Sequence, residues 1–347
     1  MREMHGQVFP WPEIAEMVAR VDDNLEEDNG GPDRRPIVLM TSDYRFATRT
    51  LHLIRELAPR WRFLVGHTPH LRPALIWSLY PFVDADVGLR MAEDLHVPCV
   101  IASRGNVKQM GPERQRRALN NYMRASAIVP ICEQLCTDLC SQEPRLRKAR
   151  WKTIANGCPV PPDPIDPIDL PWPRPWTVWL SNFNFAAKRQ ALDEIAETVP
   201  DDWPGTILIA GNKGPWAPRV GRIKPHVKFL GFVENKWGLI HAADVCLYHS
   251  HLDGQPTALM EMLALGKPVV LGRHPDSGAS EFVIDGETGV VRSTPEELLH
   301  SVRRLLDDAD LRARLGAGAR RSAETVWTWQ RAAARYDALF TELTERR

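Results

Sequence analysis

Short apolar runs alternate along the chain with longer segments whose apolar positions recur every three or four residues. IVLMTS (37–42), RFLVG (62–66), ALIWSLY (74–80), CVIAS (99–103) and AIVPI (127–131) read as strands. FATRTLHLIRELA (46–58), residues 84–96 and ERQRRALNNYMRAS (113–126) read as the helices between them. Fully apolar strands separated by helices predict a parallel sheet covered on both faces. The pattern then breaks at NGCPVPPDPIDPIDLPWPRPW (156–176), which is dense in proline, lacks periodicity and reads as an interdomain connection. Alternation resumes with strands WTVWLS (176–181), TILIAG (206–211), VKFLG (227–231), VCLYHS (245–250), KPVVLG (267–272) and GVVR (289–292). Helices are expected over 188–199, 235–243, 257–265 and 295–308, and the tail 326–347 reads as a long closing helix.

The predicted fold class is therefore α/β, with two doubly wound, Rossmann-like parallel-sheet domains in tandem over 37–157 and 176–325, joined by a linker over 158–175. Residues 1–36 form an N-terminal extension, with an amphipathic helix expected over 12–27. Ligands of such sheets sit at the carboxyl ends of the strands, so the default site is a cleft between the two domains.

Composition narrows this little. The 347 residues carry 44 Lys plus Arg against 44 Asp plus Glu, so no global charge draws the chain to nucleic acid or membrane. The opening MREMHGQVFPWPEI has no apolar signal core, and no apolar run nears the length of a membrane span. The expectation is a cytoplasmic protein, with peripheral membrane attachment left open. Six cysteines without a secretion signal read as small buried hydrophobes, including Cys132, Cys136 and Cys140, which are spaced to share a helical face.

The stretch SHLDGQPTALMEMLALGKPVV (250–270) stands out. A Gly-containing loop leads through Pro256 into a short apolar helix that ends at Gly266, and a loop feeding a helix N-terminus presents free N–H groups to an anion. Glu261 lies inside that apolar helix, where an unpaired carboxylate would cost several kcal/mol. It should therefore have a partner, from either the protein or a ligand.

These residues resemble the glycogen-synthase-like retaining glycosyltransferases of the GT-B fold. The family signature is two acids separated by seven residues (E-x7-E), then a Gly-x-Pro-Val turn, a Gly–Glu segment and D-G-x-T-G. Here Asp253 and Glu261 have the spacing, followed by Gly266, Pro268 and Val269, by Gly278 and Glu281, and by Asp285, Gly286, Thr288 and Gly289. SNFNFAAKRQALDEIA resembles the segment whose lysine clamps the donor diphosphate, which implies that role for Lys188. The closing helix resembles the one that crosses back to the first domain. Ser103, Arg104, Gly105 and Asn106 match the first-domain loop on the acceptor side, and ANG (155–157) matches the domain crossing.

The resemblance implies transfer of a sugar from a nucleotide diphosphate donor to a hydroxyl acceptor, which could be a glycan, a lipid-linked sugar or a small molecule, with retention and without a metal or other cofactor. Asp253, Lys188 and Glu261 are the implied catalytic set. Asp253 would face sugar hydroxyls, Lys188 the diphosphate and Glu261 the ribose, so the ligand would supply the partner of Glu261. Ser181, Asn182, Gly254, Gln255, Pro256, Thr257, Gly278, Ala279 and Ser280 are the implied donor-binding residues. The sequence departs from the family in three places: the Gly-rich first loop is absent, with TSDYRFATRT (41–50) after the first strand, and two site positions differ. Asp253 replaces a glutamate, and Ser181–Asn182 stand where the family has an arginine, for which Arg104 and Arg273 are candidate substitutes.

Other chemistry-bearing residues have plainer readings. Asp84 and Asp86 match a D-x-D metal motif but fall at a helix start, where carboxylates are favoured, so no metal is predicted. His67, His70, His249 and His251 read as ordinary surface or core histidines. Residues 101–152 hold eleven Lys or Arg against four acids, which is either a solvated face or a surface for an anionic acceptor such as a lipid carrier or nucleic acid. Two other functions remain open: glycosylation of a hydroxylated base in DNA, and a sugar-nucleotide binding module without catalysis.

Overall fold

A computed structural model describes residues 35–40, 51–57, 60–65, 73–105, 107–212 and 224–345. The expected helix at 12–27, the extension 1–36 up to Arg34, the start of the helix at 46–58, His67, His70 and Asn106 lie outside the described residues. The chain forms two compact units, one of residues 1–131, 139–154 and 329–347, the other of residues 132–138 and 155–328.

In the first unit, five parallel strands run β1 (Arg35–Met40), β2 (Trp61–Val65), β3 (Leu75–Ser78), β4 (Cys99–Ser103) and β5 (Ala127–Pro130), in the spatial order β2-β1-β3-β4-β5. Helices α1 (Leu51–Leu57), α2 (Val83–Leu95) and α3 (Pro112–Arg124) follow β1, β3 and β4. The described residues of β3, β4 and β5 are buried throughout, as a sheet covered on both faces requires. One face packs Trp61, Phe63 and Trp77 against Tyr336 and Phe340 of the C-terminal helix α10 (Trp329–Glu345). The Trp77 ring lies 4.8 Å from that of Tyr336 and 5.6 Å from that of Phe340. The apolar stripe of α10 thus completes the core of a sheet whose last strand ends at Pro130, nearly two hundred residues before Trp329. Helix α4 (Glu133–Gln142), which the sequence pattern did not assign, follows β5.

The second unit has six parallel strands, β6 (Trp176–Leu180), β7 (Thr206–Ala210), β8 (Val227–Gly231), β9 (Val245–Tyr248), β10 (Val269–Gly272) and β11 (Val290–Arg292). Their order is β11-β10-β9-β6-β7-β8. Helices α5 (Ala186–Thr198), α6 (Lys236–Ala242), α7 (Thr257–Ala264), α8 (Pro295–Asp307) and α9 (Ala309–Thr325) connect and cover them. From β6 the chain builds outward through β7 and β8, then returns to add β9, β10 and β11 on the other side. The switch point lies between β6 and β9, which pair directly through Thr177↔Val245 and Val178↔Cys246. Loops leaving the carboxyl ends of two such strands diverge and leave a crevice.

The proline-dense segment 158–175 belongs to the second unit. Pro173 accepts a hydrogen bond from the Thr206 hydroxyl at 2.7 Å, Asp166 accepts one from Asn235, and Asp244 holds both Arg174 and the Trp176 amide. A segment without secondary structure is fixed here by borrowed polar partners. Among the described residues, no helix is long and apolar enough to cross a membrane.

Candidate functional site

The loops after β6 and β9 meet over the switch point. Lys188, on the first turn of α5, reaches Asp253 in the loop after β9, with Nζ 2.9 Å from Oδ1. The other carboxylate oxygen, Oδ2, accepts from the Tyr248 hydroxyl at 2.6 Å. Burial, with the Asp253 charge adding to it, pushes the Tyr248 hydroxyl well above its ordinary pKa, so it stays protonated and donates. The loop itself is tied down by its backbone. The Asp253 carbonyl accepts from the Gly278 amide at 2.7 Å and from the Ser277 hydroxyl at 3.0 Å. Asp253, Gly254 and Gly278 are therefore brought together as the sequence motif implies. Gly278 is a glycine for a steric reason, because a Cβ there would stand 2.4 Å from the Cys132 sulfur.

Glu261 is nearly fully buried on α7, whose residues from Leu259 to Ala264 are all buried. Its partner comes from the protein. Lys236, the first residue of α6, places Nζ 2.5 Å from Glu261 Oε1. The expectation that a ligand supplies this partner is corrected: the buried acid already has a cation, because α6 also starts at the carboxyl end of the sheet. That cation is about two-fifths exposed and so faces solvent on its other side. The two acids with seven residues between them are thus each matched by a lysine from a different helix start.

Other implied donor residues divide. Thr257 is exposed and Ala258 half-buried at the head of α7, with Pro256 in the N-cap position. The Gln255 side chain is committed elsewhere, accepting from the Asn156 amide at 2.8 Å and donating to the Asn156 carbonyl at 2.9 Å. It fastens the α7 loop to the chain crossing. Asn182 is exposed and turns back on the Asn184 amide at 3.2 Å, while Ser181 donates its backbone amide to Ala210. Ala279 is buried and Ser280 half-buried in a single helical turn that Ser277 caps.

Glu281 has a structural task. Its two carboxylate oxygens accept from the Glu133 and Gln134 amides, both at 2.8 Å, and so cap α4. This cap explains why residues 132–138 belong with the second unit. Asp285 accepts from the Val291 amide at 2.8 Å and holds Arg292, and Thr288 accepts from the Ile284 amide. The D-G-x-T-G segment is therefore a turn that fixes β11.

In the first unit, Ser103 is buried at the end of β4 and Gly105 is exposed. Arg104 has Nε and Nη2 shut off from solvent, and burial lowers its pKa against the opposing pull of Tyr336 and Tyr80. Arg273, the other candidate cation, is exposed just past β10. Asp84 and Asp86 occupy the first turn of α2, where Asp86 is held by Arg117 and by Asn121 at 2.6 Å. The basic segment is partly neutralised in place, since Arg117, Arg124, Arg145 and Arg150 pair with Asp86, Glu93, Glu143 and Glu342.

Sequence reasoning missed Tyr248 and Lys236. A signal for Lys236 was present, because strand–loop–helix alternation sets the start of each helix that follows a strand at the ligand end of the sheet.

Comparison with known proteins bears on this geometry. Residues 174–308 match the model of the family described as glycosyl transferases group 1. The chain is 31% identical over 150 residues to the GDP-mannose-dependent alpha-(1-6)-phosphatidylinositol dimannoside mannosyltransferase of Mycobacterium tuberculosis, covering 42% of this chain and 38% of that protein. It is 30% identical over 138 residues to a Mycobacterium tuberculosis glycogen synthase, covering 37% of this chain and 33% of that protein. The chain thus spans less than two fifths of the length of these curated relatives. Among solved structures, sucrose-phosphate synthase from Thermosynechococcus elongatus superposes with a TM-score of 0.67 at 17% identity, over 90% of this chain and 100% of that one. Anabaena HepE in complex with UDP-glucose gives 0.63 at 17% identity, over 98% of each chain.

The fold is GT-B. All six strands of the second unit and both acid–lysine pairs lie inside the segment that matches the group 1 glycosyl transferases.

Proposed function

We propose that the chain is a retaining glycosyltransferase that moves a sugar from a nucleotide diphosphate donor to a hydroxyl acceptor. The observation that carries this reading is the Lys188–Asp253 contact over the β6–β9 switch point, inside the segment that matches the group 1 family. HepE was crystallised with UDP-glucose and the mycobacterial mannosyltransferase is named for GDP-mannose, which favours a nucleotide sugar as donor here.

In this reading the acceptor oxygen attacks the anomeric carbon as the bond to the diphosphate oxygen breaks, and the acceptor proton passes to the departing phosphate. The main demand is stabilisation of charge developing on the leaving group. Lys188 supplies a point cation that exchanges Asp253 for the diphosphate. The amides at the head of α7 add oriented dipoles. Asp253, released by Lys188 and still held by Tyr248, turns its free oxygen to sugar hydroxyls. Glu261 accepts from the ribose hydroxyls while Lys236 stays beside its other face. Four of the eleven basic residues of segment 101–152 are paired with acids, which lowers the charge offered to a nucleic-acid acceptor and favours a glycan, lipid-linked or small hydroxyl acceptor.

The test is a thermal-shift panel of UDP-, GDP- and ADP-sugars on the protein and on Glu261→Gln. One donor should raise Tm for the parent and fail to do so for the variant. Lys188→Ala should fold normally and lower kcat/KM by about 100-fold or more, the scale of losing one preorganised charge. Product NMR should show the donor's anomeric configuration. Unchanged turnover in both variants would overturn the assignment.

A further inference from the structure

The loop after β9 (Val245–Tyr248) places His249 and His251 with both rings on Glu194 of α5. Glu194, in the middle of α5, points its Oε2 at both rings, 3.1 Å from His249 Nε2 and 2.9 Å from His251 Nε2. The three donor atoms lie within 4.8 Å of one another, and they form the only group of this kind among the described residues. None of the three has a part in the donor-site chemistry above.

We infer that Glu194, His249 and His251 form a binding site for a divalent cation of the zinc class. A tetrahedral zinc ion with bonds of about 2.0–2.1 Å sets its donors about 3.3 Å apart. The two Glu194 contacts are already within a few tenths of an ångström of that spacing. Two imidazoles and one carboxylate are a zinc-type donor set, and three protein ligands leave a fourth position for water.

The rings are held in place from behind. His251 stacks on His274 with ring centroids 4.2 Å apart and planes 13° from parallel. His249 fits only because residue 272 is glycine, since a Cβ there would stand 1.9 Å from Nδ1. With Nδ1 against the β10 backbone, Nε2 is left facing Glu194. Both histidines are buried, whereas the Glu194 side chain is 32% exposed and gives an ion its way in. Residues this well supported form a preorganised ligand set. The inference is independent of the glycosyltransferase reading, although His251 lies two residues before Asp253 and an ion there would fix that loop.

The test uses the full chain, stripped with a chelator and titrated with Zn2+ against a chromophoric competitor, then with Co2+ as a spectroscopic probe. The expected result is one saturable equivalent per chain, a rise in Tm with Zn2+, and the intense visible absorption of tetrahedral Co2+. Glu194→Gln keeps the shape and hydrogen-bonding capacity of the side chain, and His251→Asn removes a second ligand. Altering a residue behind a ligand already costs about 10–100-fold, so each variant should bind at least about 100-fold more weakly. Metal-free melting of both variants checks folding, and Glu194→Gln decides if His251→Asn does not fold. No saturable equivalent, equal binding in Glu194→Gln, or only the faint spectrum of octahedral Co2+ overturns the site.

Discussion

Glu261 is an acid inside an apolar helix, and the cost of burying it sets what Lys236 must do. Removing one member of a half-buried pair leaves the other charge uncompensated, at about 1–3 kcal/mol. Because Lys236 is about two-fifths exposed, Lys236→Met should fall in the lower half of that range by denaturant unfolding, and Glu261→Gln in the same chain should recover part of the loss. If Lys236 also keeps Glu261 ready for the ribose, Lys236→Met raises the donor KM more than it lowers kcat. The thiols give a second measurement at this scale. Burial pushes Cys99, Cys132, Cys158 and Cys246 each up to about 12. They should resist a thiol reagent at pH 8 until the protein unfolds, leaving the half-buried Cys136 and Cys140 as the reactive pair in the folded chain. The paired placement of Asp253 and Glu261 was legible because their spacing is a sequence property. Their protein partners were not, because Tyr248, Lys188 and Lys236 converge only when three loops leave the same end of one sheet.

At the scale of elements, the Asp253 loop and the turn at 278–282 are one structure. Gly278 donates to the Asp253 carbonyl, abuts Cys132, and precedes the Glu281 cap of α4. Gly278→Ala should cost about 1–3 kcal/mol through the collision with the Cys132 sulfur. Combining it with Cys132→Ala should restore part of that stability, and a double-mutant cycle of urea unfolding midpoints would read the coupling. The strands and most helices were legible at this scale, since CVIAS and VKFLG are β4 and β8 residue for residue. Helix α9 was missed because Gly316 and Gly318 weaken its helical pattern. Tertiary packing explains both residues: a Cβ at Gly316 would stand 2.4 Å from the Gly266 carbonyl, and one at Gly318 2.0 Å from that of Glu287. Two close backbone approaches outweigh the local cost of the glycines.

At the scale of the molecule, α10 is part of the first unit's core although it is last in sequence. Phe340 is fully buried, against Trp61, Trp77 and Tyr336. Phe340→Ala should cost about 3–5 kcal/mol in the unfolding of the first unit. Helix α10 belongs to the first unit, so the second unit's transition should move less, giving two separable steps in calorimetry. The alternation of apolar runs and amphipathic helices determined two parallel α/β sheets and the motif at 250–270, because periodicity and spacing are local. Strand order was decided only in three dimensions, where the return of β9 to the flank of β6 creates the switch point. The same return sets Lys188 against Asp253, Lys236 against Glu261, and Glu194 between His249 and His251. Each of these contacts joins residues that sequence keeps 25 to 65 positions apart, and only sheet closure brings them within hydrogen-bond reach.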